Sequence, residues 1–108
     1  MTGIERIAAE RQRQVDVEGW TVERDLEEWP FGELSGAGTA YADYACRQIA
    51  TGYPEGHPQN SLWCFSSEWW KPVNDPIRNL EKAGALIAAE IDRLLALAGA
   101  GGGERRGN

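Results

Sequence analysis

The chain is short and acidic: its 108 residues include 17 Asp and Glu against 11 Lys and Arg, a formal net charge of −6. This length fits a single domain, which buries roughly two-thirds of the surface that the unfolded chain exposes. The acidic balance lacks the basic footprint that binds phosphate backbones, so we expect no direct contact with nucleic acid. A basic protein surface stays open as a partner, with nucleic-acid mimicry as one form of it.

The beginning of the chain does not have the pattern of a targeting segment. Residues 1–14 are too charged for a secretory signal, and no apolar run approaches the roughly 20 residues that cross a bilayer. Cys46 and Cys64 lie far apart and outside any Cys-x-x-Cys pair, which predicts free thiols in a reducing compartment. We therefore expect a cytoplasmic protein that has no membrane contact, no metal and no cofactor.

The first predicted helix begins at Thr2 and ends at Gly19. Thr2 and Glu5 have the spacing of a capping box, in which each side chain accepts a hydrogen bond from the backbone N–H of the other residue. Gly19 is placed to end the helix in a left-handed turn. The predicted inward face consists of Ile4, Ile7, Ala8, Arg11 and Val15.

The second predicted helix runs from about residue 32 to residue 50, after a connector with one short turn over residues 20–31. Its predicted inward face consists of Leu34, Ala37, Gly38, Tyr41, Ala45 and Ile49. Glycine inside a helix costs about 1 kcal/mol relative to alanine. Gly36 and Gly38 therefore predict the close approach of another helix or of a bulky ring, for which the tryptophans are the candidates.

Residues 52–74 combine prolines and glycines with five large apolar side chains: Leu62, Trp63, Phe65, Trp69 and Trp70. The former oppose regular structure and the latter demand burial, so we expect an ordered, irregular loop folded over the helices. Asn74 and Asp75 then supply a helix cap, and Pro76 stands at the first helical position.

The third predicted helix follows and carries a long apolar stripe. Its members recur at alternating steps of three and four: Ile77, Leu80, Gly84, Ile87, Ile91, Leu94 and Ala98. Such a stripe packs on the rest of the chain, on a second copy, or on both. The glycine-rich residues 99–108 are predicted to be a disordered tail. The predicted fold is all-α, with three main helices and a Trp-rich loop in one domain over residues 1–98.

Tryptophans beside cationic groups suggest a ligand site. Flat rings can stack a base, and guanidinium groups can hold its phosphate. The predicted ligand-binding residues are Arg11, Trp20, Trp69, Trp70 and Arg78. Two structural alternatives stay open: the tryptophans form only core, and Arg11 forms an ion pair with Glu90.

A metal-dependent alternative rests on the acids of the predicted helices, with Glu33 and Glu90 as the metal-binding candidates. Glu10, Glu33, Glu90 and Asp92 could converge on a divalent cation, as in helical nucleotide pyrophosphohydrolases. Those enzymes present Glu-Glu-x-x-Glu and Glu-x-x-Asp patterns, and this chain has neither. Solvated helix faces, with one acid paired to Arg11, are the favoured interpretation of these carboxylates.

Several motifs resemble those of small helical proteins of unassigned function encoded by bacteriophages and prophages. They are Glu10-Arg11-Gln12-Arg13-Gln14, Glu18-Gly19-Trp20-Thr21, Gly32-Glu33-Leu34, Trp69-Trp70-Lys71-Pro72, Lys82-Ala83-Gly84-Ala85-Leu86-Ile87 and Ala89-Glu90-Ile91-Asp92-Arg93-Leu94. The resemblance spans nearly the whole chain up to Leu94. Members carry a His-Asp-Asp cluster after the Glu-Gly-Trp-Thr, whereas this chain has Glu23-Arg24-Asp25, so a metal or acid–base role of that histidine does not carry over. A weaker similarity, to the ryanodine-receptor repeat domain, covers about a third of the chain.

The resemblance implies an accessory role, since phages use short acidic proteins to block or absorb components of host defence. Together with the tryptophans, it favours a non-catalytic counter-defence protein of the bacterial host cytoplasm that captures a host protein or a nucleotide-like signal. One alternative is a magnesium-dependent, all-α nucleotide pyrophosphohydrolase. Another is an oligomeric structural or assembly protein that associates through the 77–98 helix.

Overall fold

The structure, a computed structural model, describes residues 1–52 and 61–100. It contains four α-helices, α1 (Gly3–Glu18), α2 (Val22–Glu28), α3 (Glu33–Thr51) and α4 (Pro76–Ala100), with a 3₁₀ turn at Ser67–Trp69. The all-α prediction is confirmed, and the described residues contain no strand. Residues 53–60 of the predicted loop and 101–108 of the predicted tail lie outside the described residues. α4 itself continues two residues past its predicted end at Ala98.

The predicted capping box at the start of α1 is present. The Thr2 hydroxyl accepts a hydrogen bond from the Glu5 backbone N–H at 3.2 Å, and the Glu5 carboxylate accepts one from the Thr2 backbone N–H at 2.7 Å. Gly19 ends the helix in the left-handed region, at φ 73°. The connector that follows forms the seven-residue helix α2, longer than the single turn predicted, because the Thr21 hydroxyl caps it by accepting from the Arg24 N–H.

α4 is the central element, and each of the other three helices packs against it. The core joins Leu34, Ala37 and Tyr41 of α3 to Ala83, Leu86 and Ala89 of α4. Partly buried aromatic side chains pack around this cluster: Trp20, Trp29, Trp63, Phe65 and Trp70. Small alanine side chains on α4 let its neighbours approach closely, and the large rings fill the remaining space.

The apolar stripe of α4 does not face the core. Its large members, Ile77, Leu80, Ile87, Ile91 and Leu94, are all between 43 % and 54 % exposed. The buried side of α4 is composed instead of alanines, Leu86 and three polar residues, Asn79, Glu90 and Arg93. The stripe therefore packs on the rest of the chain only in part: Ile7 of α1 lies against Gly84, and Ile87 lies against Gly38 of α3.

The predicted inward face of α1 is only partly right, because Ile7, Arg11 and Val15 are half-buried but Ile4 and Ala8 are not. Ile4 is 82 % exposed and Ala8 is exposed, whereas the buried positions of the helix are Glu10 and Gln14. The apolar period did not identify Glu10 as a buried position. Arginines neutralise the Glu10 carboxylate, and this allows a charged side chain to be buried.

The close approach predicted at the glycines of α3 is confirmed, although no tryptophan ring makes it. A Cβ atom at Gly38 would lie 3.0 Å from Cγ1 of Ile87, on α4, and a Cβ atom at Gly36 would lie 2.6 Å from the carbonyl oxygen of Leu62. α3 is therefore tightly packed between α4 and the loop. Of its predicted inward residues, only Ile49 is exposed.

A buried amide network attaches the end of the loop to α3 and α4. Asn79 is fully buried. Its Nδ2 donates to the side-chain oxygen of Gln48 at 2.8 Å and to the Val73 backbone oxygen at 2.7 Å. Its Oδ1 accepts from the Val73 N–H at 3.0 Å. The Gln48 amide also donates to the Val73 oxygen, at 2.9 Å. These bonds fix the chain that precedes α4.

Candidate functional site

The aromatic segment, residues 61–71, forms a wall of interlocked rings beside α3. The Trp70 ring centroid lies 4.9 Å from that of Tyr41 and 5.1 Å from that of Trp63. Phe65 is edge-on to Trp29 with centroids 4.7 Å apart. Edge-to-face and tilted pairs of this kind favour one arrangement of the rings. The wall is therefore held in place by aromatic contacts although it has almost no regular secondary structure.

A cavity of about 420 Å³ opens between this wall and helices α1, α3 and α4. Small-molecule pockets usually have volumes of about 300–1,000 Å³, so this one is large enough for a ligand of nucleotide size. Five aromatic side chains line it: Trp20, Tyr41, Trp63, Phe65 and Trp69. Trp69 is 43 % exposed, and its ring is thus accessible to a bound molecule.

The charges that line the cavity are mainly positive, in contrast to the chain as a whole. Four cationic side chains border it, Arg13, Arg24, Lys71 and Lys82, against two acidic ones, Glu10 and Glu18. Concave surfaces lined by one sign of charge concentrate the electric field inside them. The cavity is therefore suited to an anion.

Both acids of the cavity are held by arginine. Arg13 makes two hydrogen bonds to Glu10, each 2.9 Å, and one of 2.6 Å to Glu18. Arg78 adds a contact of 2.7 Å to Glu10 from the other side. Burial alone would raise the pKa of the Glu10 carboxyl, but the hydrogen bonds and charges of the two arginines outweigh it and lower that pKa. The Glu10 carboxyl is therefore ionised, and Arg13 and Arg78 neutralise its negative charge.

The two lysines of the cavity, unlike Arg13, have no carboxylate partner among the described residues. The Lys82 ammonium donates to the Lys71 backbone oxygen at 3.2 Å and lies 5.5 Å from the centroid of the Tyr41 ring. The Lys71 N–H in turn donates to the Tyr41 hydroxyl at 3.3 Å. Within residues 1–52 and 61–99, no carboxylate lies within 4.0 Å of either ammonium. Burial, and then the charges of Arg78 and Arg13, lower the pKa of Lys82. A bound anion would stabilise the charged form of this ammonium.

One further polar group of the cavity wall lacks a partner. Gln14 is only 3 % exposed and lines the cavity. Within the described part of the chain, its side-chain oxygen receives no hydrogen bond. Leaving a buried acceptor without a donor costs about 1–3 kcal/mol. The oxygen is itself buried, so this cost falls on the packing of the cavity wall.

The structure brings two of the five predicted ligand residues, Trp20 and Trp69, to the cavity. Trp70 belongs to the wall but lies outside the cavity lining, where it packs on Tyr41 and Tyr44. Arg78 lies on the far side of Glu10. Arg11 also lies outside the cavity lining.

The predicted ion pair between Arg11 and Glu90 is wrong. Arg11 donates to the Trp20 backbone oxygen at 2.9 Å, and its guanidinium lies 3.6 Å from Asp92 and 3.9 Å from the buried Asp25. Glu90 pairs with Arg93 at 2.6 Å instead. Arg93 competes successfully for Glu90 because it lies one turn along the same helix.

The acids of the metal-dependent alternative have other partners in the structure. Glu90 accepts a hydrogen bond of 2.6 Å from the Ser35 hydroxyl, and Glu33 accepts one of 2.7 Å from the Phe31 N–H. Among the residues whose placement is described, no three His, Cys, Asp or Glu side chains lie close enough together to hold a metal ion. The role of Glu33 and Glu90 as metal ligands stays a prediction.

Sequence reasoning did not select Arg13, Tyr41 or Lys82 for the site, and it considered Lys71 as a cation that follows Trp69 and Trp70 without including it among the predicted ligand residues. Arg13 could have been found, because it lies three residues from Glu10, one turn along the helix, where a salt bridge can bury an acid. Lys82 could not, because it reaches the Lys71 backbone oxygen only when the aromatic segment folds back on α4.

No family model, no curated protein and no solved structure matches this chain. Across the described helices, none has the combination of length and apolar character that crossing a membrane requires. The function must therefore be inferred from the residues of the cavity.

Proposed function

We propose that this protein binds a small anionic molecule with a flat ring, a nucleotide-like signal, in the cavity beside the aromatic segment. The observation that carries the proposal is Lys82, whose ammonium lies beside the Tyr41 ring, together with Lys71, an exposed lysine that also lines the cavity. Neither forms an ion pair with a carboxylate in the described structure. An anionic ligand supplies the missing negative charge. A ring on that ligand gains stacking area on Trp69, which is already accessible.

The surroundings of the lysines support the same class of ligand. Arg13 and Arg24 add positive charge at the cavity border, while their hydrogen bonds go to Glu10, Glu18 and Glu28. Stacking on an aromatic ring and phosphate binding by cations together describe nucleotide recognition.

The role we propose is capture rather than catalysis. Glu10, the buried acid of the cavity, is neutralised by Arg13 and Arg78, and its lowered pKa makes it a weak proton acceptor. A short acidic protein that absorbs a nucleotide-like signal fits the counter-defence role implied by the resemblance to phage proteins. Capture of a host protein is the alternative form of this role.

Titration with ADP-ribose and with a cyclic dinucleotide, followed by tryptophan fluorescence and by calorimetry, tests the proposal. We expect saturable binding of at least one probe, weakened tenfold or more in the double variant Lys71→Gln, Lys82→Gln, since each lost charge pair in a partly buried site contributes about 1 kcal/mol or more. The control is Arg6→Gln with Arg47→Gln, which removes the same charge outside the cavity.

Three results would contradict the proposal. The first is the absence of any response to either class of probe. The second is equal weakening of binding in the cavity variant and in its control, which would indicate a general charge effect. The third is release of pyrophosphate from nucleoside triphosphates in the presence of magnesium, with loss of that activity in Glu33→Gln or Glu90→Gln, which would support the pyrophosphohydrolase alternative.

A further inference from the structure

The side of α4 that faces away from the cavity is covered only in part within the described chain: Ile7 of α1 lies against Gly84, and Ile87 lies against Gly38 of α3. We call this surface the outer face and define it by its large members, Ile77, Leu80, Ile87, Ile91, Leu94 and Leu95. Each is between 43 % and 57 % exposed. At about 100° per residue, Leu80 lies roughly 160° around the helix from Lys82, which borders the cavity. The outer face is therefore a second surface, separate from the proposed ligand site.

The outer face is large for a monomer. Six aliphatic side chains at about half exposure leave roughly 600 Å² of apolar surface in contact with water. The largest apolar patch of a typical monomeric protein measures about 300–600 Å², so this one lies at the upper limit. A face of this size on one regular helix indicates an interaction surface.

The outer face carries no charged side chain of its own. The residues between Leu80 and Leu94 that share this side of the helix are Gly84, Ile87, Ala88 and Ile91, none of which is charged. The flanking acids are already paired with α1: Glu81 with Arg6 at 3.1 Å and Asp92 with Arg11 at 3.6 Å. A basic or acidic partner would find no free charge along this rim.

The spacing of the outer face points to a helix as its partner. Steps of three and four alternate from Ile77 to Ala98, the period of a helix that packs lengthwise against another helix. Gly84 interrupts the row of large side chains, but Ile7 of α1 lies over it and keeps the surface apolar. A partner must therefore present an apolar helical stripe about 20 residues long.

We infer that a second copy of this chain docks on the outer face, with its α4 lying along the α4 of the first. α4 is the longest helix among the described residues, and its own stripe has the length, the period and the lack of charge that the outer face requires. Two outer faces in contact bury roughly 1,200 Å², which reaches the range of specific interfaces. A self-complementary face is also what a two-fold symmetric dimer needs.

Sedimentation velocity from about 1 to 100 µM tests this inference. We expect the wild type to reach twice the monomer mass within this range, and Ile91→Glu to remain monomeric throughout. Leu97→Glu is the matched control, because Leu97 is equally exposed on the same helix, at 52 %, but lies outside the outer face. It should dimerise like the wild type. Far-UV circular dichroism establishes that both variants keep their helices.

A wild type that remains monomeric at 100 µM would overturn the inference. A trimer or a larger assembly would do the same, as would a folded Ile91→Glu variant that dimerises like the wild type. Equal loss of dimer in Ile91→Glu and Leu97→Glu would place the contact elsewhere on α4. None of these results bears on ligand binding, because the cavity and the outer face lie on opposite sides of the helix.

Discussion

Replacing Asn79 by alanine tests the amide network that attaches the aromatic segment to the helices. The substitution deletes three hydrogen bonds, one to Gln48 and two to Val73. A buried hydrogen bond contributes about 1 kcal/mol, and the better helix propensity of alanine returns about 0.5 kcal/mol. We therefore expect the free energy of unfolding to fall by about 2–3 kcal/mol. For a domain whose whole stability is on the order of 5–10 kcal/mol, this is a large fraction.

Urea unfolding followed by far-UV circular dichroism measures this change. Asn74→Ala is the control, because Asn74 is exposed and lies in the same stretch of chain; its effect should stay within about 0.5 kcal/mol. If Asn79→Ala unfolds at the same urea concentration as Asn74→Ala, the network does not hold the segment in place. The account of how the cavity wall is fixed would then be wrong.

Two further predictions concern a buried acid and a tight contact. Burial raises the pKa of Asp25 above its ordinary value of 3.8. Between 3.8 and the raised pKa, the folded state therefore binds more protons than the unfolded state. The wild type loses stability as the pH rises through this window, by about 1.4 kcal/mol for each pH unit by which the pKa is raised. Asp25→Asn should flatten this dependence and stabilise the chain at neutral pH; an unchanged profile of melting temperature against pH would refute the assignment. Gly36→Ala should destabilise the chain by about 1–3 kcal/mol in chemical denaturation, because its Cβ would lie 2.6 Å from the Leu62 oxygen. Gly3→Ala, which meets nothing within 4 Å, is its control, and equal stability of the two variants would show that residue 62 yields freely.

The helix ends could be predicted from the sequence because each depends on a few adjacent residues. The Thr2 capping box and the left-handed Gly19 are local devices, and so is Pro76 at the first position of α4. The small residues of α3 likewise predicted close packing, because a glycine inside a helix is unfavourable without a packing reason.

The sides of α1 and α4 that face the core could not be predicted in the same way. The apolar period identifies a face that avoids water, but it does not say whether the same chain or a second molecule covers it. Alanines on α4 and the neutralised Glu10 on α1 occupy the buried positions, and neither gives a strong apolar signal. Lys82 escaped prediction for another reason: its position in the cavity depends on how residues 61–71 fold against α4.

The tryptophan side chains offer the most direct measurement of the proposed function. The chain has five of them, and selective labelling with ¹⁵N gives one indole N–H signal for each. On saturation with ADP-ribose or a cyclic dinucleotide, the signals of Trp20, Trp63 and Trp69, which line the cavity, should shift. The signal of Trp29, which packs against Phe65 outside the lining, should stay in place. Five unchanged signals, or a shift confined to Trp29, would contradict binding in the cavity.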